Sequence, residues 1–226
     1  AEGHARLLDT LLNLVIDSDT PEEVSGSWHC VAEHFDQLID RPEAVDAFEQ
    51  TILKLAVRGL LAPQDPNDES ADTLLKRIEA AKNVEHRGAP GSRKPAPLPP
   101  VDLDDVPFPL PAGWAWSRLG DIAAVSGGVT LGRKGAVPAA VSLPYLRVAN
   151  VQRWRLDLSS MKSLVIEASE RARYQLAEGD LLITEGGDWD KVGRTAIWRS
   201  ELPVCLHQNH VFKARGLTPE WNPEWA

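Results

Sequence analysis

Cysteine is almost missing from this 226-residue chain: Cys30 and Cys205 stand far apart, and no third thiol accompanies them. Two thiols so placed build neither a disulfide framework nor a metal-ligand spacing. The expectation is two reduced, buried cysteines in a cytoplasmic protein. Long apolar runs are missing too. Nothing approaches the ~20 consecutive apolar residues of a membrane-crossing helix, so no membrane partner is expected. The opening AEGHARLLDT lacks the basic-then-apolar order of a secretory signal. It also lacks a starting Met, so the chain is expected to begin inside its gene product.

Signatures of catalysis and cofactor binding are equally scarce. The six histidines are His4, His29, His34, His86, His207 and His210. His207 and His210 are three apart, but Gln208 and Asn209 between them complete no ligand set, and no paired carboxylate follows at zinc spacing. The glycine-rich SGGVTLGRKG fails the phosphate-loop pattern, because Lys134 is followed by Gly135 rather than Ser or Thr. No dinucleotide fingerprint and no G-x-S-x-G elbow is present. The terminal Asn222-Pro223-Glu224-Trp225 lacks the second Pro of the adenine-methyltransferase tetrapeptide and reads as a turn. It is the only support for an alternative reading as a methyltransferase fragment. No metal, no cofactor and no catalytic residue is therefore expected.

What is present divides unevenly. The chain carries a net charge of −9. Residues 1–100 hold ten basic against eighteen acidic side chains, whereas residues 113–215 hold fourteen against ten. A polyanion, if one binds, belongs with the second half.

Periodicity divides the chain at the same place. Apolar residues at 7, 8, 11, 12, 15 and 16 predict one helical face. Trp28, Val31, Phe35, Leu38 and Ile39 predict a second helix. Pro42 opens a third, expected to bury Val45, Phe48, Ile52, Leu55 and Ala56 and to end at Gly59. A fourth helix is predicted over ADTLLKRIEAAK, residues 71–82. These apolar faces also allow a protein-interaction module that binds no nucleic acid. Residues 83–109 form a proline-dense stretch that no helix or central strand survives, and predict a semi-rigid linker. Beyond it, short β-type runs (WAWSRLG, AAVS, YLRVANV, DLLITEG, TAIWR, HVFKA) alternate with turn residues, with a short helix near 167–174. The fold class expected is α+β: helical region 1–82, linker 83–109, and a strand-rich α/β domain over 110–226.

Three loop clusters in that last region combine cations, amides and indoles. LRVANVQRWRL carries Arg147, Asn150, Gln152, Arg153, Trp154 and Arg155. TEGGDWDKVGR carries Trp189, Lys191 and Arg194, and HQNH carries Gln208 and Asn209. Arg133 and Lys134 add a cationic glycine loop. Arg, Lys, Asn and Gln pair with base edges and phosphates, and Trp stacks or wedges. All thirteen are candidate DNA-binding residues.

Two stretches carry a resemblance. FEQTILKLAVRGLLAPQDPNDESADTLLKRIEAAK, residues 48–82, resembles the helical region of type I restriction–modification specificity subunits. LPAGWAWSRLGDIA, then LRVANVQ, GDLLITEGGDWDKVGR and CLHQNHVF, resemble in order the blocks of a target recognition domain in that family. The likeness covers about residues 30–226. It implies a non-catalytic subunit in which two recognition domains each read half of a split sequence in double-stranded DNA. Spacer helices set their separation. Modification subunits, which bind S-adenosylmethionine and methylate adenine, and restriction/translocase subunits are the implied partners. One recognition domain is present here and the sequence stops at WNPEWA, so an N-terminal portion of such a subunit is expected.

Overall fold

A computed structural model describes residues 2–88, 98–132 and 139–226. The helices are α1 Glu2–Ile16, α2 Pro21–Glu33, α3 Phe35–Leu38, α4 Pro42–Val57, α5 Ala71–Gly88, α6 Leu119–Ile122 and α7 Arg171–Tyr174. The strands are β1 Ala123–Ser126, β2 Ala140–Leu146, β3 Val151–Gln152, β4 Arg155–Leu156, β5 Lys162–Glu167, β6 Leu181–Thr184, β7 Thr195–Ile197, β8 Leu206–His207 and β9 Val211–Gly216. Helix and strand are thus mixed. Two compact units divide them: Ala1–Leu74 with Asp102–Trp116, and Leu75–Val101 with Ser117–Ala226.

The first unit is helical for local reasons. Thr20 caps α2 by accepting a hydrogen bond from the Glu23 N–H at 3.2 Å, and Pro21 supplies the pre-set φ of a first helical position. Helix α4 starts at Pro42 as expected and closes in a paired bonding pattern. The Gly59 N–H reaches the Ala56 carbonyl at 3.0 Å, and the Leu60 N–H reaches Leu55 at 2.9 Å. Gly59 sits at φ +69°, which glycine accepts without strain. Leu8, Leu12, Val15, Val24, Val31, Leu38, Ala44, Leu55 and Leu60 form the core. The buried stripe is narrower than the sequence predicts: Leu7, Val45 and Ile52 are exposed, while Ala44 and Thr51 face inward. Cys30 also departs from expectation, being exposed on α2; it lies one position away from buried Val31, toward solvent. Helix α5 runs to Gly88, beyond the predicted end at 82, because proline begins only at 90.

The second unit holds a four-stranded antiparallel sheet in the order β1-β9-β6-β7, a three-stranded sheet β5-β2-β8, and the hairpin β3-β4. Strand β6 is nearly all apolar and buried, as its sequence predicts. Leu146, Val151, Leu176, Leu182, Ala196, Trp198, Cys205 and Val211 form one core. Burial pushes the Cys205 thiol up to about 12, so it stays protonated and packs as a small apolar group. Tyr145, Ile166, Tyr174 and Leu206 with Val129 form a second core. Two expected strands are not strands. Residues 114–118 are irregular before α6, and Val148–Asn150 is a 3-10 turn inserted between β2 and β3. Strand β5 has no counterpart in the sequence pattern, because KSLVIE alternates weakly.

An ion pair fixes the sheet at the start of β6. Asp180 is fully buried, and its carboxylate accepts from Arg215 Nε and Nη2, both at 2.7 Å. The same group accepts the Ala177 N–H at 2.8 Å. Lys213, two residues from Arg215 on β9, donates to the carbonyls of Arg173 and Gln175 at 3.2 Å.

Candidate nucleic-acid interface

Three loops of the second unit meet at one surface, each delivered by a buried element. The first is the hairpin β3-β4. Its base is tied by Asn150, which is 1% exposed. The Asn150 Oδ1 accepts the Arg147 N–H at 2.9 Å, and its Nδ2 donates to the Asp157 carbonyl at 2.8 Å. Both ends of that amide are therefore spent on backbone, and Asn150 shapes the hairpin from inside. Arg147 lies against the same base, donating from Nη2 to the Ser160 carbonyl at 2.6 Å, with its Nε buried. Gln152 pairs in register with Arg155, which leaves Arg153 and Trp154 as the two-residue tip. Both, and Arg155, are exposed. Trp154 has φ +65°, and its N–H is held by the Thr195 carbonyl at 2.9 Å.

The second loop joins β6 to β7. Thr184, 1% exposed, closes it by donating its hydroxyl to the Lys191 carbonyl and accepting the Arg194 N–H at 3.0 Å. Gly187 and Gly193 take positive φ where the loop turns. Trp189 stands 96% exposed at its apex. The loop's cations are matched by its acids: Lys191 pairs with Asp188, and Arg194 with Asp190 at 2.8 Å. The hydrogen bond from Lys191 holds the Asp188 carboxyl below its ordinary value and raises the Lys191 ammonium. Arg194 Nη1 also donates to Gln152 Oε1 at 2.9 Å, joining this loop to the hairpin.

The third is the turn 207–210. The Val129 N–H donates to the His207 carbonyl at 2.8 Å, and the Asn209 N–H to Val129 at 3.1 Å. Gly128 permits that approach: a Cβ there would lie 1.9 Å from the His207 carbonyl oxygen. His210 Nδ1 meets Glu185 Oε1 at 3.1 Å, which joins the turn to the second loop. Gln208 and Asn209 are half-buried beside it.

The sequence-derived candidates therefore separate by position. Arg153, Trp154, Arg155 and Trp189 are exposed, and Gln208 and Asn209 lie on the adjoining turn. Gln152, Lys191 and Arg194 are committed to the contacts that hold the loops together. Arg147 and Asn150 lie at the hairpin base. Arg133 and Lys134 fall outside the described residues. Glu185 and His210, which link two loops, carried no motif; their pairing spans 25 residues and is visible only in three dimensions.

Comparison with known proteins bears on what such a surface serves. The chain is 37% identical over 200 residues to the specificity subunit of the type I restriction enzyme EcoEI of Escherichia coli, 85% of this chain and 32% of that one. It is 39% identical over 215 residues to the EcoAI specificity subunit of the same organism, 92% of this chain and 35% of the other. The chain is a relative of type I restriction enzyme specificity subunits. It spans about a third of the length of these two relatives. No protein-family model matches it.

In this specificity-subunit relative, the terminal tetrapeptide is occupied locally. Asn222 Oδ1 accepts the Glu224 N–H at 3.0 Å and the Trp225 N–H at 3.3 Å, an Asx turn rather than a pocket for a base. Among the described residues no cluster of His, Cys, Asp or Glu could hold a metal ion, and no helix is long and apolar enough to cross a membrane.

His207 sets a pH limit on the scaffold beneath the turn. It is fully buried, and its Nδ1 donates to the Val211 carbonyl at 2.6 Å. Burial, chiefly, holds its pKa down to about 4, with Lys213 and Arg215 opposing its protonation and Asp180 favouring it. The folded state therefore takes up a proton less readily than the unfolded chain. Stability should be unaffected by this group above pH 6.5 and should fall as pH drops toward 4. Urea midpoints measured across that range should decline more steeply for the native chain than for His207→Asn. Equal slopes would remove His207 as the cause.

Proposed function

We propose that the second unit reads one half of a bipartite double-stranded DNA target. In this reading the chain is a non-catalytic part of a specificity subunit, directing adenine methylation by modification subunits and cleavage by restriction subunits. The observation that carries the reading is the convergence of the hairpin tip, the β6–β7 loop and the 207–210 turn. Together they present free cations, indoles and amides on a buried β scaffold. Phosphate contacts position such a surface and base contacts specify, a division that suits Arg153 and Arg155 for the backbone and Gln208 and Asn209 for base edges. The likeness to the EcoEI and EcoAI specificity subunits supports the same assignment. The first unit and α5, where residues 48–82 resemble the family's helical region, suit contacts with protein. One reader alone binds weakly, and linkage to a second raises its effective concentration at the target.

The test is a methylation map. The full-length specificity subunit assembled with its modification partners should modify adenines in one split motif. Replacing residues 147–156 and 185–194 together with those of a relative of different specificity should change one half of that motif and leave the other. An unchanged motif would refute the reading.

A further inference from the structure

The hairpin tip carries an oddity that binding of the phosphate backbone does not explain. Trp154 occupies a left-handed conformation, φ +65°, where a bulky side chain is strained and glycine or asparagine is not. Its indole is 74% exposed, so the strain is not repaid by burial. The conformation is imposed from outside: the Trp154 N–H is held by Thr195, and Gln152 by Arg194. Arg153 and Arg155 flank it, both exposed. A large planar apolar group thus stands rigidly at the end of a two-stranded ribbon, with a cation on either side.

We infer that Trp154 is a wedge. On this inference, which rests on the DNA-reading assignment above, the indole enters a groove and presses between adjacent base pairs, while Arg153 and Arg155 hold the flanking phosphates. Apolar wedges that part a base step kink the duplex, and the ease of kinking depends on sequence. Trp154 then adds selectivity at a step where no hydrogen bond is read. Trp189, on a loop whose charges are internally paired, lacks flanking free cations and is not assigned this role.

The test compares two probes with the 226-residue chain: fluorescein-labelled continuous duplexes of mixed sequence, and the same duplexes with a single-nucleotide gap, which are already easy to kink. The native chain should bind the gapped duplex roughly five- to tenfold tighter, a ratio in the range of one base–aromatic stack. Trp154→Gly should bind both alike, and Trp154→Phe should keep part of the preference. Glycine accepts the positive φ, so Trp154→Gly should melt no lower than the native chain; weaker binding with unchanged melting then reports on the interface alone. A native chain without preference for the gap, or a Trp154→Gly variant that retains it, overturns the wedge while leaving DNA reading intact. Absence of binding to either duplex by the native chain overturns both.

Discussion

Asp180→Ala is expected to destabilise the second unit by about 3 kcal/mol or more, the loss that follows removal of one partner from a buried ion pair. The carboxylate is fully buried, bonded twice to Arg215 and once to the Ala177 N–H. Its removal leaves that N–H without an acceptor and leaves two cations, Arg215 and Lys213, close together on β9 with no counter-charge. Lys213 already feels the crowding: burial, then Arg215, hold its pKa below the ordinary value, and Asp180 is the one group that opposes them. A domain of this size loses about 2–4 °C of melting temperature per kcal/mol, so the transition should fall by about 10 °C. Asp180→Asn keeps an acceptor for Ala177 but not the charge, and should fall between. Melting within a degree or two of the native chain would show that the pair contributes little. Because Asp180 starts β6 and β6 delivers the loop carrying Trp189, weakened DNA binding in this variant would follow from unfolding, not from any change in the interface chemistry.

Reversing both tip arginines is expected to act the other way, on binding without folding. Arg153 and Arg155 are exposed, and Arg153 makes no ion pair among the described residues. Arg155 has only the nearby Asp157 charge for company. In the assembled enzyme, Arg153→Glu/Arg155→Glu should weaken DNA binding at low salt by roughly tenfold to a hundredfold, and the slope of log affinity against log salt should fall by about 2, one for each phosphate no longer neutralised. The melting temperature should not change, since surface charges of this kind contribute little to stability. Unaltered affinity at low salt would remove the hairpin tip from the interface. Lys191 and Arg194 make a useful contrast. Their charges are cancelled by Asp188 and Asp190 within the loop, so their replacement should disturb loop shape more than salt dependence.

Much of this was legible in the sequence, and the parts that were not share a cause. Pro42 and Gly59 marked the ends of α4 because both act within a few residues. The all-apolar β6 and the Gly-Asp turn before it announced a buried strand for the same reason. Val148–Asn150 misled: LRVANV has the alternation of a strand, yet the Asn150 side chain accepts from its own neighbour's backbone and folds the segment into a turn. Local competition of this sort overrides the pattern. The exposed Val45 and Ile52 on α4 reflect which helices happen to pack there, a fact absent from periodicity. Among candidate site residues, type was a fair guide and orientation was not. Asn150, Gln152 and Arg194 have the chemistry of base readers, but side chains that hold loops in place need the same amides and guanidinium groups. Distinguishing the two uses took the partners Arg147, Asp157 and Asp190.

The bond between Gln152 and Arg194, with that between Trp154 and Thr195, has a consequence for how such a protein can change over generations. The hairpin and the β6–β7 loop lie far apart in the chain but are fastened to each other at the surface. A recombination that imports one without the other separates a glutamine from its guanidinium and lets the tip swing. The heritable unit is therefore the two segments together, and new variants should be found in which residues near 152 and 194 have been exchanged as a pair.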